Sequence, residues 1–406
     1  LFGISGGIAA YKTPDLLHGW VKMGFEVETI LTESAEAFVS PMVLSTLSKR
    51  RVWRERDFLS PEYGWRIPHI SLTDWADIFV IAPCTGNVLR MAAEGDSATL
   101  LGAALLANQK PLLLFPAMNC KMLANEAAQR HMKTLEARGA VVVDPDSGML
   151  ACGYEGKGRL PSAAVIDDYV KMMLCAKKDL AGLRVAVTAG PTHEYIDPVR
   201  YISNPSSGKM GYAVARAAWQ RGAEVTLITG PSTLTRPAGI KVVETVSADD
   251  MYDACMKASE EADVIVKAAA VGDYKAANRA EQKIKRGGAR EFTLELVQNR
   301  DIAAALGRRK RPGQVLVGFA AETQNVLENA QRKMAEKNLD IIVSNDVLAQ
   351  GAGVFHAVVG GAVDLGDVHM AALGDLAALV ALVAGLGARR MAAVEGLGED
   401  AGAGGL

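Results

Sequence analysis

The segment ISNPSSGKMGYAVARAAWQRGAEVTLITG, residues 202–230, holds the pattern that decides the fold. A loop of small residues runs into a segment with helical spacing, residues 208–221, and the apolar run EVTLITG, residues 224–230, follows a glycine. Loop, helix and buried strand in this order form the repeating unit of a doubly wound parallel sheet. The loop resembles a phosphate-binding loop, but methionine follows its lysine where a P-loop has serine or threonine. Its position before a helix still predicts an anion site.

The same order of elements occurs in both halves of the chain. GWVKMGFEVETILT, residues 19–32, and AWQRGAEVTLITG, residues 218–230, share a tryptophan, a helix-ending glycine, a Glu-Val pair and a closing isoleucine and threonine. We interpret this likeness as common βαβ construction rather than duplication. Short apolar runs are typical of parallel strands covered by helices on both faces; they occur at 25–31, 77–83, 111–117, 140–144, 185–190, 224–230, 240–245, 263–270, 314–323 and 339–346. Helices are predicted at 120–138, 208–221, 248–260 and 323–337. The sequence therefore predicts two Rossmann-like doubly wound α/β domains.

Composition sets the domain boundaries. The 406 residues suffice for two domains with separate cores. We expect these domains at 1–178 and 179–385, followed by a disordered Gly/Ala-rich tail at 386–406. The apolar segment 371–387 is too short to span a bilayer, so a core-packing helix is predicted there. In the first helical segment, Pro14 predicts a late start or a bend.

Charge and cysteine content exclude several classes of protein. The 44 Lys and Arg residues nearly balance the 46 Asp and Glu residues. That balance argues against a nucleic-acid binder or a protein held to membranes by charge. The five cysteines form no CxxC pair, so a zinc site or a disulfide framework is not expected; they are Cys84, Cys120, Cys152, Cys175 and Cys255. No secretory signal is visible, and a reducing cytoplasm is the expected location.

Three polar loops follow predicted strands in the first half. GISGGIAAYK (3–12) places a small-residue turn before a helix, and APCTGN (82–87) and PAMN (116–119) add hydroxyl and amide groups. Because the carboxyl ends of parallel strands meet at one edge of a sheet, these loops predict a mononucleotide site there.

The ordered motifs resemble two enzyme families. GISGGIAAYK, PHISLTDWAD, IAPCTGN, FPAMN and GMLACGYEGKGRL resemble the flavin-dependent cysteine decarboxylases. AGPTHEYIDPVRYISNPSSGKMG, KAAAVGDY, KIKR, VGFAAET and KNLDIIVSND resemble phosphopantothenate–cysteine ligase. Together, over about residues 1–350, they resemble the bifunctional bacterial enzymes of coenzyme A biosynthesis. The resemblance implies an N-terminal flavodoxin-like flavoprotein sheet and a C-terminal nucleotide-binding parallel sheet.

This resemblance also implies substrates and cofactors. The expected reaction joins 4'-phosphopantothenate to L-cysteine with CTP through an acyl-cytidylate. FMN-dependent oxidation of the thiol to a thioaldehyde then allows loss of CO₂, and re-reduction of the enethiolate gives 4'-phosphopantetheine. Mg²⁺ is expected only with the nucleotide, and no protein metal site is assigned. The family further implies a homo-oligomer in which decarboxylase trimers are linked by ligase dimers.

Roles in the first half follow from the matched motifs. His69 corresponds to the family's base, and an imidazole can exchange a proton near neutrality. Asn119 would offer its amide to the substrate carboxylate, and Cys152, in a glycine-rich flap, would donate a proton to the enethiolate. The residues expected to bind FMN are Ser5, Gly6, Gly7, Thr32, Thr85 and Asn87.

In the second half, the resemblance assigns Asn204 to holding the acyl-nucleotide and Lys283 to forming it. Ser206, Ser207 and Gly208 stand at a helix start, where backbone amides favour phosphate. The remaining residues expected to contact CTP, besides Lys283, are Lys267, Ala268, Ala269, Asp273, Arg300, Asp301, Ile302, Ala303, Phe319, Lys333 and Lys337. The sequence departs from the family at Arg300, where a proline is usual.

The sequence disfavours three other functions. A decarboxylase with an impaired ligase half is disfavoured by the intact Asn204 and Lys283 motifs. A non-catalytic flavin-binding regulator is disfavoured because His69, Asn119 and Cys152 are all present. An NAD-dependent dehydrogenase would need a GxGxxG motif with a ribose-binding acid, and neither is convincing here.

Overall fold

A computed structural model of the chain describes residues 1–286, 291–322, 326–346, 354–359 and 368–371. The chain divides into two compact units, Leu1–Leu174 and Cys175–Leu406. The predicted helix at 371–387 and the predicted tail at 386–406 lie outside the described residues, apart from Ala371.

Strands and helices alternate in the first unit. Its strands are β1 (Phe2–Ile4), β2 (Thr29–Leu31), β3 (Val52–Arg54), β4 (Phe79–Cys84), β5 (Leu112–Pro116), β6 (Val141–Val142), β7 (Asp146–Met149) and β8 (Glu155–Arg159). Its α-helices are α1 (Thr13–Lys22), α2 (Pro41–Ser48), α3 (Glu55–Phe58), α4 (Pro68–Trp75), α5 (Gly86–Glu94), α6 (Leu100–Ala107), α7 (Cys120–Leu123), α8 (Glu126–Ala137) and α9 (Ala163–Leu174). Three 3₁₀-helices span Ile8–Lys12, Glu33–Ala37 and Gly64–Arg66.

The central sheet of the first unit is parallel throughout, in the order β3-β2-β1-β4-β5-β6. Buried apolar side chains cover both of its faces. The predicted doubly wound α/β fold is confirmed. Its strand order is that of the Rossmann fold, whereas flavodoxins order their strands 2-1-3-4-5. The flavodoxin-like description therefore holds for the layered parallel architecture and does not hold for the strand order.

Local sequence explains where several elements begin. A 3₁₀ turn precedes α1, and Pro14 lies in the first turn of that helix, where its missing N–H costs nothing. The predicted late start is confirmed. The helix predicted at 120–138 is instead two helices, because the Asn125 side chain accepts a hydrogen bond from the Ala127 N–H at 3.0 Å and starts α8 afresh. The glycine-rich segment that follows is the antiparallel hairpin β7–β8.

The second unit repeats the alternation. Its strands are β9 (Arg184–Ala189), β10 (Glu194–Tyr195), β11 (Tyr201–Ile202), β12 (Glu224–Thr229), β13 (Lys241–Glu244), β14 (Val264–Lys267), β15 (Tyr274–Ala276), β16 (Leu296–Gln298), β17 (Val315–Glu322), β18 (Ile341–Asp346), β19 (Val354–Val359) and β20 (Val368–Ala371). Its helices are α10 (Lys209–Gln220), α11 (Ala248–Ser259), α12 (Ile302–Arg309) and α13 (Val326–Glu336).

The main sheet of the second unit has the order β13-β12-β9-β14-β17-β18-β19-β20. Its first six strands are parallel and its last two pairings are antiparallel. The antiparallel hairpin β10–β11 and the antiparallel strand pair β15–β16 lie outside this sheet. As in the first unit, loops at the carboxyl ends of the parallel strands meet at one edge, where such sheets bind ligands.

Candidate active sites

A cavity of about 880 Å³ lies at the carboxyl ends of β1, β2, β4 and β5 in the first unit. Its volume falls within the range of small-molecule and cofactor sites. Residues predicted to bind FMN or to act on the substrate line it together: Ser5, Gly6, Gly7, Thr32, Thr85, Asn87, Asn119 and Cys152.

Two adjacent glycines in the cavity lining differ in the space around them. A Cβ added to Gly6 would lie 2.3 Å from the Ser34 hydroxyl oxygen and 2.7 Å from the Ser34 carbonyl carbon, so no side chain fits there. A Cβ added to Gly7 would first meet Thr85, at an ordinary 3.5 Å. The loop after β1 therefore needs glycine at position 6 for close approach to the loop after β2.

The Ser5 hydroxyl has a structural role. It donates a hydrogen bond to the Pro83 carbonyl at 2.7 Å and accepts one from the Thr85 N–H at 3.0 Å. Both bonds join the end of β1 to the end of β4. Ser5 thus lines the cavity while its side chain fixes the spacing of two loops.

Asn119 and Cys152 meet at the mouth of the cavity. The Asn119 Oδ1 accepts the Lys121 N–H at 2.8 Å and caps α7, which turns its Nδ2 toward the Cys152 sulfur at 2.9 Å. Cys152 is exposed in the turn of the β7–β8 hairpin. The Lys121 ammonium lies 4.6 Å from the centre of the Tyr154 ring, a second contact with the same turn.

His69 is not among the residues that line this cavity. It lies in the first turn of α4 and packs edge-to-face on Phe58, with ring centres 5.5 Å apart. Its Nδ1 is buried, and the described part of the chain offers it no hydrogen-bond partner. Apolar side chains near it in sequence are exposed, including Trp65 at 80% and Ile67 at 52%. The structure therefore does not bring His69 together with Asn119 and Cys152 within one copy of the chain.

Sequence reasoning missed several polar side chains that line the cavity, among them Ser34, Glu55 and Arg159. Burial raises the pKa of Glu55, and hydrogen bonds from the Leu100 N–H oppose that shift. Ser34 and Glu55 follow the ends of β2 and β3, so the strand-end rule that identified the other loops could have found them. Glu55 was missed because β3 has only three residues and was not predicted.

In the second unit, Gly208 and Gly190 allow two loops to meet. Both have positive φ, 77° and 75°, and a Cβ on Gly208 would lie 3.1 Å from the Gly190 backbone nitrogen. Gly208 caps the twelve-residue helix α10. The hydroxyl oxygens of Ser206 and Ser207 accept hydrogen bonds from the N–H groups of Gly208 and Lys209 at 3.3 and 3.5 Å. The predicted anion loop is therefore at a helix N-terminus, packed against the loop after β9.

Hydrogen bonds join β9 and the loop after it to the loop after β14. The Ala269 N–H donates to the Thr188 hydroxyl at 3.0 Å, and the Gly272 N–H donates to the Thr192 hydroxyl at 2.9 Å. Asn204 joins the same assembly, because its Nδ2 donates to the Val271 carbonyl at 3.0 Å. Asn204 and the Ala268–Asp273 segment are thus brought together.

Charged groups collect beside that loop. The Lys337 ammonium lies 2.9 Å from the Asp301 carboxylate, whose other oxygen caps α12 by accepting the Ala304 N–H at 3.0 Å. Burial alone would raise the pKa of Asp301, but these two partners hold it below its usual range. Burial lowers the pKa of Lys267, and nearby carboxylates, including that of Asp301, oppose the shift.

The other predicted nucleotide contacts differ in their surroundings. Ile302 and Ala303 form the buried first turn of α12, and Phe319 packs against the core. Lys333 lies in the last turn of α13. Lys283 is exposed, and within the described residues its ammonium has no hydrogen-bond or ion-pair partner.

The Arg300 side chain contacts α11. Its guanidinium lies 3.0 Å from Asp249, 3.1 Å from Asp253 and 3.9 Å from the centre of the Tyr252 ring. The structure therefore does not bring the Arg300 side chain to the predicted nucleotide loops.

Comparison with known proteins identifies the class of both units. Residues 1–175 match the family model described as Flavoprotein, and residues 180–359 match the model described as DNA/pantothenate metabolism flavoprotein C-terminal domain. The molecule is thus a flavoprotein domain followed by a pantothenate-metabolism domain. In the described part of the chain, none of the helices has the length and apolarity needed to cross a membrane.

Full-length relatives make the assignment specific. The coenzyme A biosynthesis bifunctional protein CoaBC of Haemophilus influenzae is 42% identical over 355 residues, which cover 87% of this chain and 88% of that protein. The protein of the same description from Bacillus subtilis is 42% identical over 358 residues, covering 87% of each. The chain belongs to this family of bifunctional enzymes of coenzyme A biosynthesis, which combine a decarboxylase and a ligase domain. Among solved structures, the C-terminal domain of a CoaBC protein is 36% identical, with a TM-score of 0.43 over 55% of this chain and 100% of that chain.

Proposed function

We propose that the second unit condenses 4'-phosphopantothenate with L-cysteine at the expense of CTP, and that the first unit decarboxylates the product with FMN, in the cytoplasm. Family membership supports the overall pathway. One observation carries the residue assignment: the predicted FMN-binding residues line a single cavity of about 880 Å³ with Asn119 and Cys152 at its mouth.

The lining of this cavity fits a flavin mononucleotide. The backbone turn at Gly6 and Gly7 would hold the phosphate, and polar groups of Thr32, Thr85 and Asn87 would meet the ribityl chain and ring edges. When bound, FMN supplies a reversible two-electron acceptor, which would allow the substrate thiol to become a thioaldehyde before CO₂ leaves. The chain's own residues orient the substrate, exclude water and move protons.

Asn119 and Cys152 are suited to the substrate end of the cavity. A neutral amide can orient a carboxylate without pinning it as a lysine would, which suits a group that must depart as CO₂. The Cys152 thiol would then donate its proton to the enethiolate carbon. Its position in the hairpin turn lets the same segment cover the reacting atoms.

His69 would serve the cavity of a neighbouring copy. It lies outside the cavity of its own chain, beside exposed Trp65 and Ile67, and such apolar side chains are typical of an interface. This arrangement accords with the predicted homo-oligomer. To test it, the variants His69→Asn and Cys152→Ala, each impaired in forming phosphopantetheine, are mixed under conditions that let their subunits exchange. Shared sites predict recovered phosphopantetheine formation in mixed oligomers, whereas no recovery would argue that His69 serves the site of its own chain.

Residues of the second unit would activate the carboxylate of phosphopantothenate. This carboxylate attacks the CTP α-phosphate, forms an acyl-cytidylate and releases pyrophosphate. The cysteine amine then attacks the acyl carbon and releases CMP. The Lys283 ammonium would offset charge at the attacked phosphate, Asn204 would hold the acyl-cytidylate, and the start of α10 would cradle a phosphate. Mg²⁺ would arrive with CTP.

Two product assays test the proposal separately. Purified holoprotein is given phosphopantothenate, cysteine and either CTP or ATP, and pyrophosphate is measured; it is then given phosphopantothenoylcysteine alone, and CO₂ is measured. We expect pyrophosphate with CTP, more slowly with ATP, and CO₂ without any nucleotide. Absence of pyrophosphate would refute the ligase half, and absence of CO₂ would refute the decarboxylase half.

A further inference from the structure

The Asp197 carboxylate is fully buried at the tip of the β10–β11 hairpin. Its Oδ1 accepts the N–H groups of Val199 and Arg200 at 2.7 and 2.8 Å. Its Oδ2 accepts the Arg200 guanidinium at 2.9 Å and the Ile284 N–H at 3.2 Å. The first oxygen therefore shapes its own turn, while the second reaches a residue 87 positions away in the chain.

These bonds join two loops that each carry a residue of the proposed ligase chemistry. From the Asp197 turn, strand β11 leads within two residues to Asn204. On the other side, Ile284 directly follows Lys283. That loop is anchored again where the Ala280 N–H donates to the Ile196 carbonyl at 2.9 Å, and where Arg200 donates to the Ile284 carbonyl at 3.1 Å.

The surroundings suit an ionised carboxylate. Burial by itself would raise the pKa of Asp197, but the hydrogen bonds from Val199, Arg200 and Ile284 hold it below its usual range. A buried carboxylate is tolerated only when it is well hydrogen-bonded. The Ile284 N–H belongs to this set, so detaching the loop leaves the carboxylate one donor short.

We infer that Asp197 is a positioning residue for acyl-nucleotide formation, because it fixes the loop of Lys283 relative to Asn204. This inference rests on the proposed function of the second unit. Since the Lys283 side chain has no partner of its own among the described residues, its backbone attachment decides where the ammonium can reach. Misplacement of a catalytic group by about 1 Å can cost about 100-fold in rate.

The informative variant is Asp197→Asn, which keeps the shape and replaces one acceptor oxygen with a donor. If the amide oxygen keeps the turn at Val199, the amide nitrogen faces the Ile284 N–H, and two donors cannot bond. We expect pyrophosphate release to fall about 100-fold, while CO₂ release from supplied phosphopantothenoylcysteine stays at the parent rate. Asp263→Asn is the matched control, since Asp263 also accepts a backbone N–H, from Arg184 at 2.8 Å, but before β14.

A double-mutant comparison separates positioning from general damage. Lys283→Gln is combined with Asp197→Asn, and residual pyrophosphate release is measured for each single variant and for the pair. If Asp197 acts through Lys283, adding Asp197→Asn to Lys283→Gln lowers the residual rate by less than about twofold. Amide hydrogen exchange at Ile284 should also quicken in Asp197→Asn, and stay unchanged in Asp263→Asn.

Several results would overturn the inference. These are a full additional loss in the double variant, an equal loss in Asp263→Asn, unchanged exchange at Ile284, or loss of CO₂ release along with pyrophosphate release. Failure of the proposed function is distinguishable, because the parent protein itself would then release no pyrophosphate from CTP.

Discussion

The Asn119 amide nitrogen lies 2.9 Å from the Cys152 sulfur, although 33 residues separate them in the chain. The Asn119 side chain is already fixed, because its Oδ1 caps α7. Its contact with Cys152 therefore positions the turn of the β7–β8 hairpin. The Met118 N–H also donates to the Gly158 carbonyl at 3.1 Å, which ties the base of the hairpin to the same loop. One short segment after β5 thus positions both the amide proposed to orient the substrate carboxylate and the proposed proton donor.

Replacing Cys152 should separate loss of CO₂ from completion of the reaction. In Cys152→Ala, we expect formation of phosphopantetheine to fall by about 10²- to 10⁴-fold, the usual contribution of a proton donor, while CO₂ release falls less. A product two mass units lighter than phosphopantetheine should accumulate, as seen by mass spectrometry. Cys175→Ala is the control, because that thiol lies outside the cavity lining. Phosphopantetheine formed by Cys152→Ala at the parent rate would exclude the proposed role.

Neighbouring glycines offer a matched test of the FMN site. Gly6→Ala places a methyl group 2.3 Å from the Ser34 hydroxyl, so the loops after β1 and β2 must separate. Gly7→Ala meets only Thr85, at 3.5 Å. We expect Gly6→Ala to be purified with less than about one tenth of the flavin bound by the parent, and Gly7→Ala to retain most of it. Visible absorbance per mole of protein measures this, and equal retention by both variants would contradict the assignment.

A second glycine pair tests the loop before α10. Gly208 and Gly182 both have positive φ, so alanine at either position costs about 1 kcal/mol of backbone strain. A Cβ on Gly208 would also press on Gly190 at 3.1 Å, whereas nothing lies within 4 Å of one on Gly182. We expect Gly208→Ala to reduce CTP-dependent pyrophosphate release at least tenfold more than Gly182→Ala does. Equal losses would show that strain alone, rather than loop contact, matters here.

The ion pair between Asp301 and Lys337 gives a pH prediction. The pKa of Asp301 is held below its usual range, so its contribution to stability is complete above that range and is lost as pH falls through the folded pKa. Asp301→Asn keeps the cap of α12 and removes the charge, while Asp301→Ala also removes the cap, at a cost of about 1 kcal/mol.

Amide exchange in the peptide containing the first turn of α12 measures this effect. Between pH 5 and pH 3, after correction for the intrinsic exchange rate, protection should decline in the parent and change little in Asp301→Asn. Asp301→Ala should be less protected than Asp301→Asn at pH 7. An identical acid dependence in parent and Asp301→Asn would rule out the ion pair as its cause.

Sequence patterns predicted most strands and the loops at their ends because burial on both faces leaves short apolar runs that can be read locally. A predicted helix boundary was wrong where a single side chain caps a helix, as at Asn125, which begins α8. The short β3 was not predicted, and the cavity residue after it, Glu55, was therefore missed. The sequence showed that arginine stands at position 300, where the family usually has proline. It could not show that Arg300 pairs with Asp249, because that contact depends on where α11 packs.

The sequence by itself determined the alternation of strands and helices, the glycines that permit close loops, and the motif order that places the chain in its family. These are properties of local periodicity and residue type. Only the tertiary structure decided which loops meet. It brings Asn119 to Cys152 and Asp197 to Ile284, and it places His69 outside the cavity that Asn119 and Cys152 line. Such contacts depend on strand order and on the path of each connection, because residues far apart in the chain become neighbours only when the sheet brings their strand ends to the same edge.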